Sequence, residues 1–316
     1  MTTRAETVRR AERHELTYRG RRRRFLLLRP GPGTGTVPGV ATGPAPLVVD
    51  LHPSGLGPAA QLRGSGLGEL AARGYAVAAP QGALPYQGGW AWSLPGVPLA
   101  GEERIRDEAG DVDDVAFLGV LLDTLDGMLA LDPARRHLAG FSGGARLASH
   151  AAVAFGDRLA SVACVGGVRR PGGPADAAPP LLAVHGLLDD TNPYHGAAGP
   201  RWDEPVPAAV ARWAAAAGCA AAPVRTEPAP GVTESRHRDA AGRAPVRLVT
   251  VAALGHAWPG TPDPLLGGHA SGTGSDAYDA SAAVRRFFAE FDGRGGDGEA
   301  DGFGEADGID GERAAP

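Results

Sequence analysis

The sequence predicts an α/β fold with a mainly parallel central sheet. Three observations carry that prediction. From residue 47 onward, apolar runs of strand length alternate with segments of helical periodicity. Gly- and Pro-rich turns separate them: 48 of the 316 residues are Gly and 28 are Pro. One Gly-x-Ser-x-Gly segment, Gly140-Phe141-Ser142-Gly143-Gly144, lies between a strand pattern and a helix pattern.

Taken in order, residues 1–14 are polar and Arg-rich and read as a short helix or loose arm. Residues 15–29 read as a β-hairpin. Leu16 and Tyr18 alternate with polar residues, Arg19-Gly20 supplies the turn, and Phe25-Leu26-Leu27-Leu28 is the second strand. The run Arg21-Arg22-Arg23-Arg24 is a candidate nucleic-acid patch, but the formal net charge is −5, and arginines on a solvated hairpin account for it. Residues 31–46 form a Gly/Pro/Thr loop. Its Gly31-Pro32-Gly33-Thr34-Gly35 lacks the following helix that a dinucleotide loop requires. Leu47-Val48-Val49 is a strand, residues 67–73 a short helix and 75–79 the next strand. A long loop over 81–103 carries Trp90 and Trp92. Val112, Val115, Leu118, Leu122 and Leu125 mark one helix face. Residues 137–140, 162–165, 181–184 and 246–251 read as strands, and 145–154, 208–217 and 278–291 as helices. One catalytic domain thus spans 15–291. Residues 292–316 contain 8 Gly, 8 Asp or Glu and 2 Arg, a composition that predicts a disordered acidic tail.

Composition removes several function classes. Hydrophobic residues make up 43% of the chain, enough for one sizeable core. All 31 basic residues are Arg. Without lysine there is no P-loop lysine, no pyridoxal or aldolase Schiff base, no kinase strand lysine and no Ser-x-x-Lys acylase pair. Two cysteines, Cys164 and Cys219, make neither a disulfide framework nor a thiolate zinc site, and their spacing leaves a single bridge open. No apolar run approaches the roughly 18 residues of a membrane span. The Arg-rich start is followed by a short apolar run, 25–28, where a signal peptide needs about 7–15 residues. The expectation is a cytoplasmic protein whose partner is neither nucleic acid nor membrane, using no metal and no organic cofactor.

The Gly-x-Ser-x-Gly segment carries the chemistry. A sharp strand-to-helix turn strains the Ser backbone and brings the helix close, and Gly140, Gly143 and Gly144 leave room for both. Such a turn lifts the Ser142 hydroxyl into a cleft and lets the Gly143 amide face a developing oxyanion. A serine hydroxyl is a weak nucleophile, so it needs a base, and the base needs an orienting group. After Ser142 come His150, His185, His195, His237, His256 and His269. His150 falls on the helix leaving the turn, His185 precedes Gly186 and braces a turn, and His237 sits in a polar loop. His256 follows the strand 246–251, in a loop at a strand end, where a catalytic base belongs. Asp189 and Asp190 both follow the strand 181–184, and either fits as the acid.

These residues sit within a longer series of motifs: Asp113-Asp114-Val115-Ala116-Phe117, Asp132-Pro133-Ala134-Arg135-Arg136, the Ser142 turn, Val184-His185-Gly186-Leu187-Leu188-Asp189 with Pro193-Tyr194, and Gly255-His256-Ala257-Trp258-Pro259-Gly260. In motif order and spacing the chain resembles the polyhydroxybutyrate depolymerase and feruloyl esterase group of α/β-hydrolases, close to carbohydrate esterase family one. The resemblance runs from about residue 15 to 291. It implies an α/β-hydrolase fold with helices on both faces of the sheet, Ser142 as nucleophile, Asp189 rather than Asp190 as acid, and His256 as base. The chain departs from the family in two places. Leu51-His52-Pro53-Ser54 stands where the family has Leu-His-Gly, and Pro53 has no N–H to offer an oxyanion, so the second donor is the Ser54 amide or a neighbour. Residues 238–243 lack the Cys with which secreted members pair a Cys near position 219. Trp90, Trp92, Tyr194 and Trp258 are candidates to line a substrate cleft or to pack in the core.

The expected function is a serine carboxylic-ester hydrolase acting through an acyl-enzyme on a small or oligomeric ester, either hydroxyalkanoate oligomers or feruloyl and acetyl esters. The competing readings are a peptidase or thioesterase on the same fold, and a non-catalytic α/β-hydrolase-like binding protein, for which Pro53 is the motive.

Overall fold

The computed structural model describes residues 3–31, 43–95, 112–169, 178–199, 202–267 and 275–292. Ten strands form one sheet in the order β1-β2-β4-β3-β7-β8-β9-β12-β11-β10. The six central strands run parallel: β4 (Ala76–Pro80), β3 (Ala45–Leu51), β7 (Leu131–Phe141), β8 (Ser161–Val165), β9 (Leu181–Gly186) and β12 (Val246–Val251). Antiparallel hairpins flank them, β1 (Glu12–Tyr18) with β2 (Arg21–Leu28) on one side, β10 (Val224–Ala229) with β11 (Val232–His237) on the other. A two-stranded ribbon, β5 (Leu84–Tyr86) and β6 (Gly89–Ala91), lies within the expected long loop.

Strands β4, β8 and β9 are buried at every position, as parallel strands are when helices cover both faces. Leu47, Val49 and Leu51 of β3 enter one core with α3 (Asp114–Met128), α4 (Gly143–Ala154) and α5 (Val206–Ala216), which contribute Phe117, Leu121, Leu147, Val210 and Trp213. Val48 enters the opposite core with α2 (Pro58–Ser65) and α6 (Ala280–Glu290), which contribute Leu62, Val284, Phe287 and Phe288. Asp113 and Asp279 cap α3 and α6 by accepting from the amides of Ala116 and Ala282, each at 2.9 Å.

The chain visits β4 on one side of β3 and then returns to β7 on the other. The connections leaving the carboxyl ends of β3 and β7 therefore diverge, which opens a crevice between them. Leu51 of β3 pairs with Gly140 of β7, so residues three further on in each strand, Ser54 and Gly143, meet across this crevice.

The structure adds to the expected elements, moves a boundary and settles two open alternatives. The β10–β11 hairpin and helix α2 are additional elements, and His237 closes β11, buried, instead of sitting in a loop. Residues 4–10 form helix α1 (Arg4–Arg10), and β1 begins at Glu12, ahead of the expected boundary at residue 15. Arg4 fastens that helix to Glu69 at 3.2 Å and to the Gly64 carbonyl at 3.0 Å. Cys164 and Cys219 are both free thiols.

Asp292, expected to begin the tail, is buried beneath the sheet. It accepts from Arg135 Nε at 2.8 Å, from Arg135 Nη2, and from the Tyr75 hydroxyl at 2.9 Å, with His137 Nε2 at 3.3 Å. Residues 293–316 of the expected tail lie outside the described residues. Burial alone would raise the Asp292 carboxyl, but the hydrogen bonds from His137 and Arg135 outweigh it and hold the group below the usual range. Asp292→Asn leaves Arg135 without its anion and should lower stability by about 3 kcal/mol at neutral pH. The loss should shrink as pH falls through the native Asp292 pKa, where the wild type also forfeits the pair. Urea unfolding at neutral and acid pH checks both statements.

Candidate active site

Ser142 joins β7 to α4 with φ 53° and ψ −114°. Its backbone is fixed by Ser142 N–H donating to Val165 O at 2.9 Å and by Arg146 N–H returning to Ser142 O at 3.1 Å. The flanking glycines are needed for close approach. A methyl group on Gly140 would overlap the Gly144 carbonyl, and one on Gly144 would overlap the carbonyl oxygens of Leu51 and His52. The elbow thus seats β7, α4 and the β3 loop backbone against backbone.

The structure brings Ser142, Asp189 and His256 together. Asp189 lies in the loop after β9, and His256 in the loop after the neighbouring strand β12. His256 Nε2 is 2.9 Å from Ser142 Oγ, and His256 Nδ1 is 2.8 Å from Asp189 Oδ2. Burial alone would raise Asp189, but the hydrogen bonds from His185 and His256 outweigh it and hold its carboxyl well below the usual range. An ionised Asp189 accepts only, so His256 Nδ1 carries the proton and Nε2 presents its lone pair to the serine hydroxyl. Asp190, the neighbour, is exposed and bonds only Thr191 Oγ1, at 3.3 Å, among the described side chains.

Several residues that hold this arrangement carry no sequence signal. Asn192 is buried and joins four elements. Its amide donates to Asp189 Oδ1 at 2.6 Å, its Nδ2 donates to Gly166 O, its Oδ1 accepts from Arg146 on α4, and its carbonyl accepts from His185 Nε2 at 2.8 Å. Thr191 N–H adds a second backbone donor to Asp189 Oδ1 at 3.1 Å. Phe141, the variable residue of the turn, stacks on the His256 ring with centroids 5.0 Å apart. His185 braces the acid loop as expected and also lies 3.3 Å from Asp189 Oδ2.

Facing the elbow is the loop 52–56. A methyl on Gly143 would lie 2.5 Å from Ser54 Oγ and 3.2 Å from Ser54 N, so both polar groups of Ser54 pack against Gly143. His52 fixes this loop. It is fully buried, its Nδ1–H donates to Pro53 O at 2.8 Å, and its Nε2 accepts from Gly82 N–H at 2.9 Å. Trp92 stacks on His52 and donates to its carbonyl at 2.7 Å.

The four candidate cleft aromatics separate. Trp92 and Trp258 are 2% and 1% exposed and belong to the cores, and Trp258 donates to Ser281 Oγ at 3.1 Å. They support the site from behind and line no open cleft. Tyr194 is part-buried, its hydroxyl 3.1 Å from Thr250 Oγ1. Trp90 is part-buried at the rim of a cavity described below. His269 lies outside the described residues. No cluster of three or more metal-ligating side chains occurs among the described residues, and no described helix is long and apolar enough to cross a membrane.

No family model matches the chain. It is 30% identical over 269 residues to the protein named "Putative esterase NocK" of Nocardia uniformis subsp. tsuyamanensis, a match covering 78% of this chain and 73% of NocK. Its fold superimposes on an acetyl xylan esterase from Aspergillus awamori with a TM-score of 0.58 and 14% identity, covering 88% of this chain and 99% of the other.

Burial pushes the His52 imidazole down to about 4. A native pKa below the unfolded value of about 6.5 means that its contribution is complete above that value and is lost as pH falls through about 4, a change of about 3 kcal/mol. His52→Gln, which keeps an acceptor for Gly82, should therefore show a shallower loss of stability between those pH values than the wild type. Thermal melts across that range give the comparison.

Proposed function

The chain belongs to the family of NocK, the esterase-like α/β-hydrolases, and is a carboxylic ester hydrolase; from that premise we propose that it acts through Ser142, His256 and Asp189 by way of an acyl-enzyme. The observation that carries this reading is the unbroken chain of contacts from Ser142 Oγ through His256 to Asp189, at 2.9 and 2.8 Å. Ser142 Oγ attacks the ester carbonyl while His256 Nε2 takes its proton. Asp189 holds the ring in the tautomer this requires and stabilises the imidazolium that forms. His256 then protonates the departing alcohol. A water molecule, deprotonated by His256, cleaves the acyl-enzyme and restores Ser142.

The tetrahedral oxyanion is bound by the Gly143 amide at the start of α4, where the helix dipole favours negative charge. The second donor comes from Ser54, through its amide, its hydroxyl or both, since Pro53 has no N–H. Among the described residues neither the Ser54 hydroxyl nor its amide makes another hydrogen bond. The substrate class that the sequence motifs support is hydroxyalkanoate oligomers, or feruloyl and acetyl esters. A cytoplasmic location and soluble rather than granular substrates accompany that proposal.

Ser142→Ala should abolish hydrolysis of p-nitrophenyl esters and labelling by a fluorophosphonate probe while the melting temperature stays close to wild type. More than a few per cent of residual activity would reject the assignment. Asp189→Asn should lower kcat by several orders of magnitude, since wrong-tautomer losses near 10⁴ are known in other triads, whereas Asp190→Asn should cost less than about tenfold. Reversed losses would move the acid to Asp190. Ser54→Ala keeps the amide and deletes only the hydroxyl, so a kcat loss of about tenfold or more, with KM little changed, assigns the hydroxyl to the oxyanion; an unchanged kcat leaves that role to the amide.

A further inference from the structure

Beside the oxyanion loop lies a cavity of about 480 Å³ that the chemistry above does not use. Its lining includes Arg21, Arg22, Arg23 and Arg24 of β2, the segment Gln81-Gly82-Ala83, and Trp90. Phe25 pairs antiparallel with Pro80, the last residue of β4, so residues 21–24 extend past the carboxyl ends of the parallel strands, on the side where Ser142 lies. Strand β2 is two strand spacings from β3 and three from β7, on the order of 10–15 Å.

The cavity wall is continuous with the oxyanion loop. Gly55 N–H donates to Trp90 O at 3.0 Å, Trp90 N–H donates to Leu56 O at 2.9 Å, and Gly82 N–H donates to His52. The charges are unequal. Arg23 pairs with Asp114, Arg19 faces Asp113 at 4.0 Å, and Arg22 and Arg24 share Glu15 at 3.7 and 2.8 Å. Leaving Arg19 and Arg21 aside, three guanidiniums share two carboxylates, and the doubly used Glu15 serves arginines that are 72% and 56% exposed. A guanidinium fork is suited to an oxyanion such as a carboxylate, and the Trp90 indole offers an apolar wall to a chain leading to it.

We propose that this cavity is a subsite for the anionic end of an extended ester substrate. The preferred ester then carries a carboxylate or similar oxyanion roughly 10–15 Å from its scissile carbonyl, joined to it by a chain that passes Trp90. The inference rests on the ester-hydrolase reading and narrows it: esters whose far end is neutral gain nothing from the arginines, and acid-terminated oligoesters do. Glu15 is displaced from Arg22 or Arg24 by the ligand, which is possible because those pairs are exposed and individually weak.

The test uses the full-length protein and three pairs of esters, each a free acid and its methyl-capped analogue. The p-nitrophenyl monoester of sebacic acid carries the anion on the acyl side, and ω-acetoxydecanoate carries it on the alcohol side; each is compared with its methyl-capped neutral analogue. At low salt, kcat/KM for at least one free acid should exceed that of its capped analogue by about tenfold or more, expressed mainly in KM. The preference should shrink with added sodium chloride, and fall close to unity in the double variant Arg22→Gln, Arg24→Gln. The p-nitrophenyl monoester of succinic acid, too short to reach, should show no such preference. Equal rates for free and capped esters on both sides would overturn the subsite while leaving the ester-hydrolase reading standing. A preference unchanged in the double variant would overturn it too. Failure of the wild type to cleave any of the probes would overturn the parent reading instead.

Discussion

Ser142 holds a backbone conformation that side-chain-bearing residues rarely adopt, and the surrounding structure exists in large part to impose it. A φ of 53° with ψ of −114° carries a cost of order 1–3 kcal/mol that other contacts must offset. The offset is visible on three sides. Val165 of β8 binds the Ser142 amide, the first turn of α4 binds its carbonyl, and Gly140 and Gly144 let α4 settle onto β7 and onto the carbonyls that end β3. Each contact involves backbone, so none depends on a rotamer. The hydroxyl is consequently raised above the sheet at the crevice between β3 and β7, where the His52 loop, the acid loop and the His256 loop converge.

Around this rigid point the buried charges are arranged by opposing effects. Asp189 is a buried carboxylate kept ionised by four donors, two ring nitrogens and two amides. His52 is a buried imidazole kept neutral by its burial, which outweighs the hydrogen bond to the Pro53 carbonyl. Asp50, one residue before the end of β3, is pushed up to about 6 by burial, even though Ser65 and Gln61 donate to it at 2.6 and 2.7 Å. The signs differ. Neutral His52 favours the native state above its unfolded pKa, whereas Asp50 favours it below about 4 and loses that contribution as pH rises through about 6. Stability from these two groups is therefore drawn in opposite directions across the mildly acid range.

How much of this was legible in the sequence follows from where the information is local. The elbow is written in three glycines around one serine, His256 follows a buried strand by five residues, and Asp189 stands at a fixed spacing from His185-Gly186. Such features survive as patterns because the chain itself enforces them. The β10–β11 hairpin does not, since β10 is exposed at nearly every position, contains Pro228 and is interrupted by a bulge, all tolerable at a sheet edge and all unlike a strand pattern. Helix α2 hides for a similar reason, with Gly57 and Pro58 at its start and glycines at 64 and 66. Asn192 could not be found from one sequence: its importance lies in four partners from 3 to 46 residues away. The tryptophans show the reverse error. Aromatic residues near catalytic motifs invite a binding role, yet Trp92 and Trp258 are too deeply buried to meet a ligand and act by holding the His52 and His256 loops in place.

Pro53 is the position where sequence and geometry must be weighed together. A proline in an oxyanion loop removes an amide donor, which in isolation argues against catalysis. In the fold its carbonyl has the larger task, accepting from His52 Nδ1 at 2.8 Å and from Leu56 N–H at 3.3 Å. An acceptor placed there does not require an N–H, and the ring's fixed φ reduces the freedom lost when the loop is ordered. The Leu51–Gly140 register then carries the next residue, not the proline, against Gly143. Ser54 arrives with two donors, an amide and a hydroxyl, beside Gly143. On the proposed mechanism the second oxyanion donor is then Ser54, and the proline before it serves to hold the loop that presents it.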